Sequence, residues 1–349
     1  LLLLAIFMVS AYAQNGVSTP VSRYGFGQLS DMTIGRSAAM GGASLGLRAG
    51  QEINIANPAS YSAVDSLTFL VDAGLSIENT NYSNGKIKLN NKSGSFDYLA
   101  MQFRAFRKLG MAFGFTPFSK IGYSFGEQQN SIEDQYGIVT PGTTYTGEGG
   151  ITKAFLGLGW NPFAGFSIGM NGEFLFGNMS HTVSNAYSDT NVFSNVRSYT
   201  AKISSFNMNF GAQYELPLGK VDKLTVGATF NPGHAINNDA YRKDYLLNAA
   251  SDATEGATTD TIKNAFEMPT SYGFGLTYQH NRKLTVSADF SIQKWADCKY
   301  PMSTTSSTGT GTFESRTGFL ADRKKVSVGM EYVPNLMSRN FLKRVRYRA

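Results

Sequence analysis

The chain has 349 residues, of which 16% are charged and 13% aromatic, with 37 glycines and a formal net charge of +6. Soluble domains carry about a quarter charged residues, so the composition speaks against an ordinary soluble enzyme pair and for a glycine- and aromatic-rich β architecture. The basic excess is not a nucleic-acid footprint. Arg323, Lys324, Lys325, Arg339, Lys343, Arg344, Arg346 and Arg348, set against Asp322 and Glu331, already account for the +6, and no basic-aromatic stripe runs elsewhere. Cys298 is alone, so no internal disulfide or thiolate metal cluster is expected and the thiol is read as packed.

Residues 1–13 read as a secretion signal. Leu1 to Val9 is apolar, and Ala11-Tyr12-Ala13 provides small residues around a cleavage point. Nine apolar residues are too few for a spanning helix, which needs about 20. The signal lacks its charged start, and the chain stops at Ala349 just as Val345 and Tyr347 open a new alternating row, so both ends read as cut.

Residues 14–66 do not alternate. Glycines at 16, 25, 27, 35, 41, 42, 46 and 50 with Pro20 and Pro58 predict a compact irregular segment, with a short helix around Ile34 to Met40. From residue 67 to 349 the chain turns to period-two rows. Phe69, Val71, Ala73, Leu75 and Ile77 share one parity, followed by rows led by Leu99, Met111, Ala154, Phe166, Phe206, Leu224 and Tyr272. Leu284, Val286, Ala288, Phe290 and Ile292 alternate without a fault against Thr285, Ser287, Asp289 and Ser291, and Val326, Val328, Met330 and Tyr332 close the series. Aromatic-rich apolar rows opposite Ser, Thr, Asn and Gly predict strands with a lipid face and a wet face. The fold class is therefore all-β: an antiparallel transmembrane barrel with a plug, in a bacterial outer membrane.

Tight turns are expected at Asn161-Pro162 and Asn281-Arg282, and long polar loops over 178–200, 233–265 and 299–318, with Ser303 to Thr312 a flexible loop by composition. His181, His234 and His280 lack ligand spacing, and no nucleophile elbow or phosphate loop is present. No enzyme, cofactor or metal is predicted. Arg344, Arg346 and Arg348 fall on one parity and would line the lumen. They would pair with acids such as Asp31, Glu52 or Asp65, or contact an anionic ligand.

Met40-Gly41-Gly42-Ala43 followed by Asn54-Ile55-Ala56-Asn57-Pro58-Ala59 resembles the plug signature of the FadL-type outer-membrane transporters of long-chain fatty acids and other hydrophobic compounds. Met268 to Gly275, Leu284, Asp289 and Trp295 are similar to that family's proline-led strand pair, and Asp322 to Tyr332 with Arg346 resemble the strands after it. The resemblance implies a barrel of about 14 strands, roughly three of them absent here, and a hatch whose rearrangement lets an apolar ligand leave sideways through a strand kink. Asn54, Asn57 and Pro58 would set the hatch turn. Ser60 stands where the family has Gly, and Pro20 to Gly27 looks more like a Bacteroidota branch, some members of which are accessory barrels in outer-membrane assembly or type IX secretion. The expected partners are outer-membrane lipid, a hydrophobic small molecule or fatty acid, and other outer-membrane proteins.

Overall fold

A computed structural model describes residues 19–83, 85, 88–128, 131–134, 137–189, 192–248, 251, 253–305, 311–335 and 337–349. The secretion signal expected at 1–13 lies outside them. In chain order the elements are β1 (Gln28–Leu29), α1 (Gly35–Ala38), β2 (Phe69–Ser83), β3 (Lys88–Phe106), β4 (Leu109–Gln128), β5 (Ile132–Asp134), β6 (Gly137–Val139), β7 (Pro141–Phe163), β8 (Phe166–Tyr187), β9 (Ser194–Leu218) and β10 (Asp222–Asn231). Then follow β11 (His234–Ile236), β12 (Ala240–Leu247), β13 (Thr254–Ile262), β14 (Phe266–Met268), β15 (Ser271–His280), β16 (Leu284–Gln293), β17 (Tyr300–Thr305), β18 (Gly311–Arg316), β19 (Arg323–Tyr332), α2 (Phe341–Arg344) and β20 (Tyr347–Arg348). One antiparallel sheet of 14 strands dominates, in the order β2-β3-β4-β7-β8-β9-β10-β15-β16-β19-β20, with β1, β12 and β13 off that path.

The apolar rows face outward. Phe206 is 74% exposed, Val326 72% and Phe274 50%. Repeated around every wall strand in water, this would be a continuous aggregation surface, whereas hydrocarbon accepts it. The opposite parity is buried: Thr285, Ser287 and Asp289 on β16, Asn207, Asn209 and Gln213 on β9. In β16 the alternation read at Leu284 to Ile292 therefore separates the two faces residue by residue.

The wall has two heights. β7, β8 and β9 run 23, 22 and 25 residues, whereas β10, β15, β16 and β19 have 10 each. A tilted strand needs about 9–11 residues to cross a bilayer, so the short strands span it and the tall ones overhang at the end carrying the long loops. The other end has tight connections. Asn281 and Arg282, both at positive φ (48° and 54°), make one of them, the conformation that matches the twist of two paired strands.

Two expectations are corrected. Residues 178–200 are mostly strand, because β8 continues to Tyr187 and β9 begins at Ser194. Above the membrane neither face meets lipid, so the apolar row that marks a strand ends although the ladder does not. The turn expected at Asn161-Pro162 lies at Ala164-Gly165. Gly165 takes the positive φ (81°), and Asn161 stays in β7 at a bulge, its Nδ2 donating to the Phe166 carbonyl at 2.8 Å. The long stretches 233–265 and 299–318 carry β11 to β14 and β17–β18, and of the flexible loop expected at Ser303 to Thr312, residues 306–310 lie outside the described residues.

Inside the overhang the inward residues become apolar. Ile121, Ile151, Leu175, Met179 and Ile203 from the tall strands pack with Phe26, Ile236, Phe266, Trp295 and Cys298 from the N-terminal segment and the loops. Phe26 stands 5.3 Å from the Trp295 ring and 5.6 Å from Phe266. Burial pushes the Cys298 thiol up to about 11, helped by Glu267, Asp297 and Asp322. It is therefore a neutral, shielded thiol at neutral pH. Maleimide labelling of the folded protein at pH 7.5 should leave Cys298 unmodified, with full labelling only in denaturant; rapid labelling of the folded chain would contradict this packing.

Candidate functional site

The N-terminal segment lies on the inner face of the wall, and glycine sets how closely it sits. Gly110, Gly159, Gly169 and Gly211 stand opposite one another across β4, β7, β8 and β9 in a single row. The row continues through Thr229 to Gly273. A Cβ at Gly110 would overlap the Tyr61 carbonyl, one at Gly159 or Gly169 the Pro58 peptide, and one at Gly211 the Asn57 side chain. Beside this row, Gly227 and Gly275 receive Leu45 and Gly46, and Gly329 receives Met40. The segment thus rests against bare wall backbone.

Such an irregular segment has no ladder to satisfy its own peptide groups, and leaving them unpaired inside a barrel is costly. Amide side chains supply the partners. Asn57 caps the 3-10 turn at Pro58–Ala63 by accepting from Ala59 N, and its Nδ2 donates to the Leu45 carbonyl at 2.8 Å and to the Ala212 carbonyl of the wall at 3.2 Å. Asn54 Nδ2 donates to the carbonyls of Ser44 and Leu47, at 2.6 and 3.0 Å. From the wall, Gln213 donates to the carbonyls of Leu45 and Leu47, both at 3.0 Å, and Asn171 to that of Ile55 at 3.3 Å. Asp289 accepts from Ser44 N and, at 2.8 Å, from Leu45 N. Asn54 and Asn57 therefore share with Gln213 and Asp289 the task of bonding the Ser44–Leu47 backbone, while Pro58 lies on Gly159 and Gly169.

Ion pairs close the rim. Arg36 bridges Glu52 at 2.9 Å and Glu331 at 2.8 Å. Arg346 reaches Glu52 at 3.3 Å, and Arg348 reaches Glu331 at 2.6 Å. Arg344 does not join them. It ends α2, which Asn340 caps by accepting from Leu342 N, and only Arg346 and Arg348 share the inward parity. Asp31 accepts from Arg323 at 2.7 Å and Lys325 at 2.9 Å. Burial alone would raise its carboxyl pKa, but the hydrogen bonds from Arg323 and Lys325 outweigh burial and hold it below its ordinary 3.8. Asp65 lies against Gly50 instead, where its backbone N–H donates to the Gly50 carbonyl at 3.0 Å.

The wall has a seam. β3 and β4 pair only from Phe106/Leu109 to Leu99/Phe115. Beyond that β3 keeps β2, and β4 keeps β7, with a bulge after Pro117, which has no N–H to offer a neighbour. The vacated edge of β4 is filled by the N-terminal segment: β1 pairs Gln28 with Lys120 and Leu29 with Ser119, and Thr19 N donates to the Gly122 carbonyl at 2.9 Å. Lys120 Nζ spans the gap to Ser95 Oγ at 2.6 Å and Asp97 at 3.1 Å.

Two cavities flank the segment. One of about 160 Å³ has a mixed lining, in which Lys153, Glu173, Asn207, Asp289 and Lys325 stand beside apolar residues such as Leu45 and Met268, with the Lys153–Glu173 pair buried at 3.1 Å. The other, about 260 Å³ and aromatic, lies in the overhang against Arg23, Tyr24, Tyr123, His181, Tyr199 and Phe313. His181 accepts or donates at Tyr123 Oη (2.8 Å), His280 meets Asp222 and His234 meets Ser205. The three histidines remain apart, and among the described residues no group of three metal-ligating side chains forms.

Gln213, Asn171 and the glycine row were not singled out from the sequence. The available sign was glycine recurring on the polar parity of successive strands, but the row exists only through cross-strand register.

A large antiparallel sheet with a lipid-facing exterior and an interior bound to an N-terminal segment defines an outer-membrane β-barrel of FadL-like fold. The profile of the BamG family matches residues 1–349, and the chain belongs to that family. Solved structures similar to it include the toluene transporter TbuX of Ralstonia pickettii (13% identity over 88% of this chain and 83% of that one, TM-score 0.51). The toluene transporter TodX of P. putida matches at 14% identity over 88% and 81% (TM-score 0.54), and the CymD monoaromatic hydrocarbon channel at 12% over 88% and 81% (TM-score 0.52). At these identities the likeness is one of fold. No curated protein sequence matches the chain.

Two outcomes follow. Gly169→Val should unseat the segment, costing about 1–3 kcal/mol by overpacking and raising hydrogen exchange over residues 54–64, whereas Gly172→Ala, whose added Cβ would stand 3.9 Å from the Leu156 carbonyl, should leave exchange unchanged. The lowered Asp31 pKa means that its ion pair stabilises the fold above the unfolded value of 3.8 and is lost as pH falls through the folded value. The protection factors of amides at residues 29–33, with the intrinsic pH dependence of exchange divided out, should therefore be flat from pH 7 to 5 and fall only below about pH 3.8.

Proposed function

We propose that this BamG-family barrel is a non-transporting accessory subunit of the machinery that assembles outer-membrane proteins. Residues 14–66 are its hatch and residues 67–349 its wall. The observation that carries this reading is the seating of the hatch. It is bonded to β3, β8, β9, β16 and β19 and lies on a side-chain-free floor, so the lumen serves as a braced interior and the outer surface is left for partners. Family membership supports the same reading. Asn54, Asn57 and Pro58 set the hatch turn, and Arg346 and Arg348 hold its rim closed.

A second reading, carriage of a hydrophobic compound such as a long-chain fatty acid, is supported by the aromatic cavity of about 260 Å³ and the β3/β4 seam beside it. In that reading an apolar ligand enters the cavity and leaves through the seam when residues 19–30 release β4.

Affinity purification of the tagged full chain from a mild detergent extract separates the two. The accessory role expects stoichiometric co-purification with barrel-assembly proteins, a drop in other outer-membrane barrels on depletion, and silence in planar-bilayer conductance. A protein that purifies alone with bound fatty acid, and whose deletion lowers fatty-acid uptake, would establish the second reading and reject the first.

A further inference from the structure

The +6 net charge of the chain resides in its last stretch, and half of its eight bases are already engaged. Arg323 and Lys325 hold Asp31, while Arg346 and Arg348 hold Glu52 and Glu331. Arg339, Lys343 and Arg344 are exposed and make no ion pair among the described residues. Residues 333–346, which contain them, include no Asp or Glu.

Three apolar side chains stand among these bases with almost no cover: Met337 at 93%, Phe341 at 69% and Leu342 at 64% exposure. Register decides which side of the wall they occupy. Tyr332 ends the lipid-facing row of β19, and Tyr347 stands directly opposite it on β20. The neighbours of Tyr347, Arg346 and Arg348, reach inward to Glu52 and Glu331, so Tyr347 points outward. Its Oη donates to the Leu342 carbonyl at 3.1 Å, tying α2 to the lipid side of the wall. The loop is also held in shape, with Asn335 N donating to the Lys343 carbonyl at 2.8 Å. This is the end of the barrel with tight turns, which in outer-membrane barrels is the periplasmic end.

We propose that residues 337–344 are an interfacial anchor that binds anionic phospholipid of the periplasmic leaflet. Met337, Phe341 and Leu342 enter the acyl boundary beside the Tyr332/Tyr347 pair, and Arg339, Lys343 and Arg344 take the phosphates. Charge complementarity and continuity with the lipid-facing row favour lipid over an acidic protein. Long basic side chains reach a headgroup plane from such a position, and each adds affinity for an anionic surface.

Native mass spectrometry of the full chain, offered phosphatidylglycerol and phosphatidylcholine in equal amounts, tests it. The unmodified protein should retain phosphatidylglycerol preferentially. The triple variant R339Q/K343Q/R344Q should lose that preference by roughly tenfold or more, and F341S/L342S should lower retention of both lipids. Heat-modifiable electrophoretic migration verifies that each variant barrel is folded. Equal retention of the two lipids by the unmodified protein, or an unchanged preference in the triple variant, would overturn the proposal. A triple variant that keeps its lipid preference but sheds a co-purified acidic protein would overturn it too, and assign the surface to that protein.

Discussion

Close approach between the N-terminal segment and the wall is the constraint from which the rest of this interior follows. A sheet normally meets its lumen through a layer of side chains, and an irregular segment inside would then sit several ångströms from the strand backbone. Across Gly110, Gly159, Gly169 and Gly211 that layer is missing, and Asn57, Pro58 and Tyr61 take its place. Once the segment is that close, its carbonyls and amides come within reach of Gln213, Asn171 and Asp289, and the polar parity of the wall finds its partners. The buried Gln102, Asn171, Gln213 and Asp289 of the strands are thus explained by the segment, whereas Lys153, Glu173 and Asn207 satisfy one another within the wall.

The rows facing lipid were legible because hydrocarbon tolerates no exception. Leu284 to Ile292 and Val326 to Tyr332 keep parity without a fault, and their apolar members all point outward. Where that demand stops, legibility stops. Residues 178–200 carry His181, Thr182, Ser184 and Asn185 on both parities, and nothing in the string separates a tall strand from a loop. Asn161-Pro162 had the chemistry of a turn, yet Gly165 nearby could adopt positive φ without strain and took the reversal.

The site was legible in outline. The glycine density of residues 14–66 and the Asn-Pro turn pointed to an irregular packed segment, and α1 formed within the stretch expected to be helical. What could not be read was pairing. Gly159 and Gly211 are 52 positions apart and become near neighbours only through Gly169. Arg344 was grouped with Arg346 and Arg348 by parity, but a capped turn of helix broke the count before Arg346.

The glycine floor also bears on how the segment would move. Side-chain packing resists sliding because knobs must climb out of holes, so friction in a protein interior is largely a matter of corrugation. Bare strand backbone has little relief. Resistance to shear across it therefore falls on directional bonds: those of Asn57, Gln213, Asn171 and Asp289 beside the row, and the ion pairs of Arg36 and Asp31 with the wall.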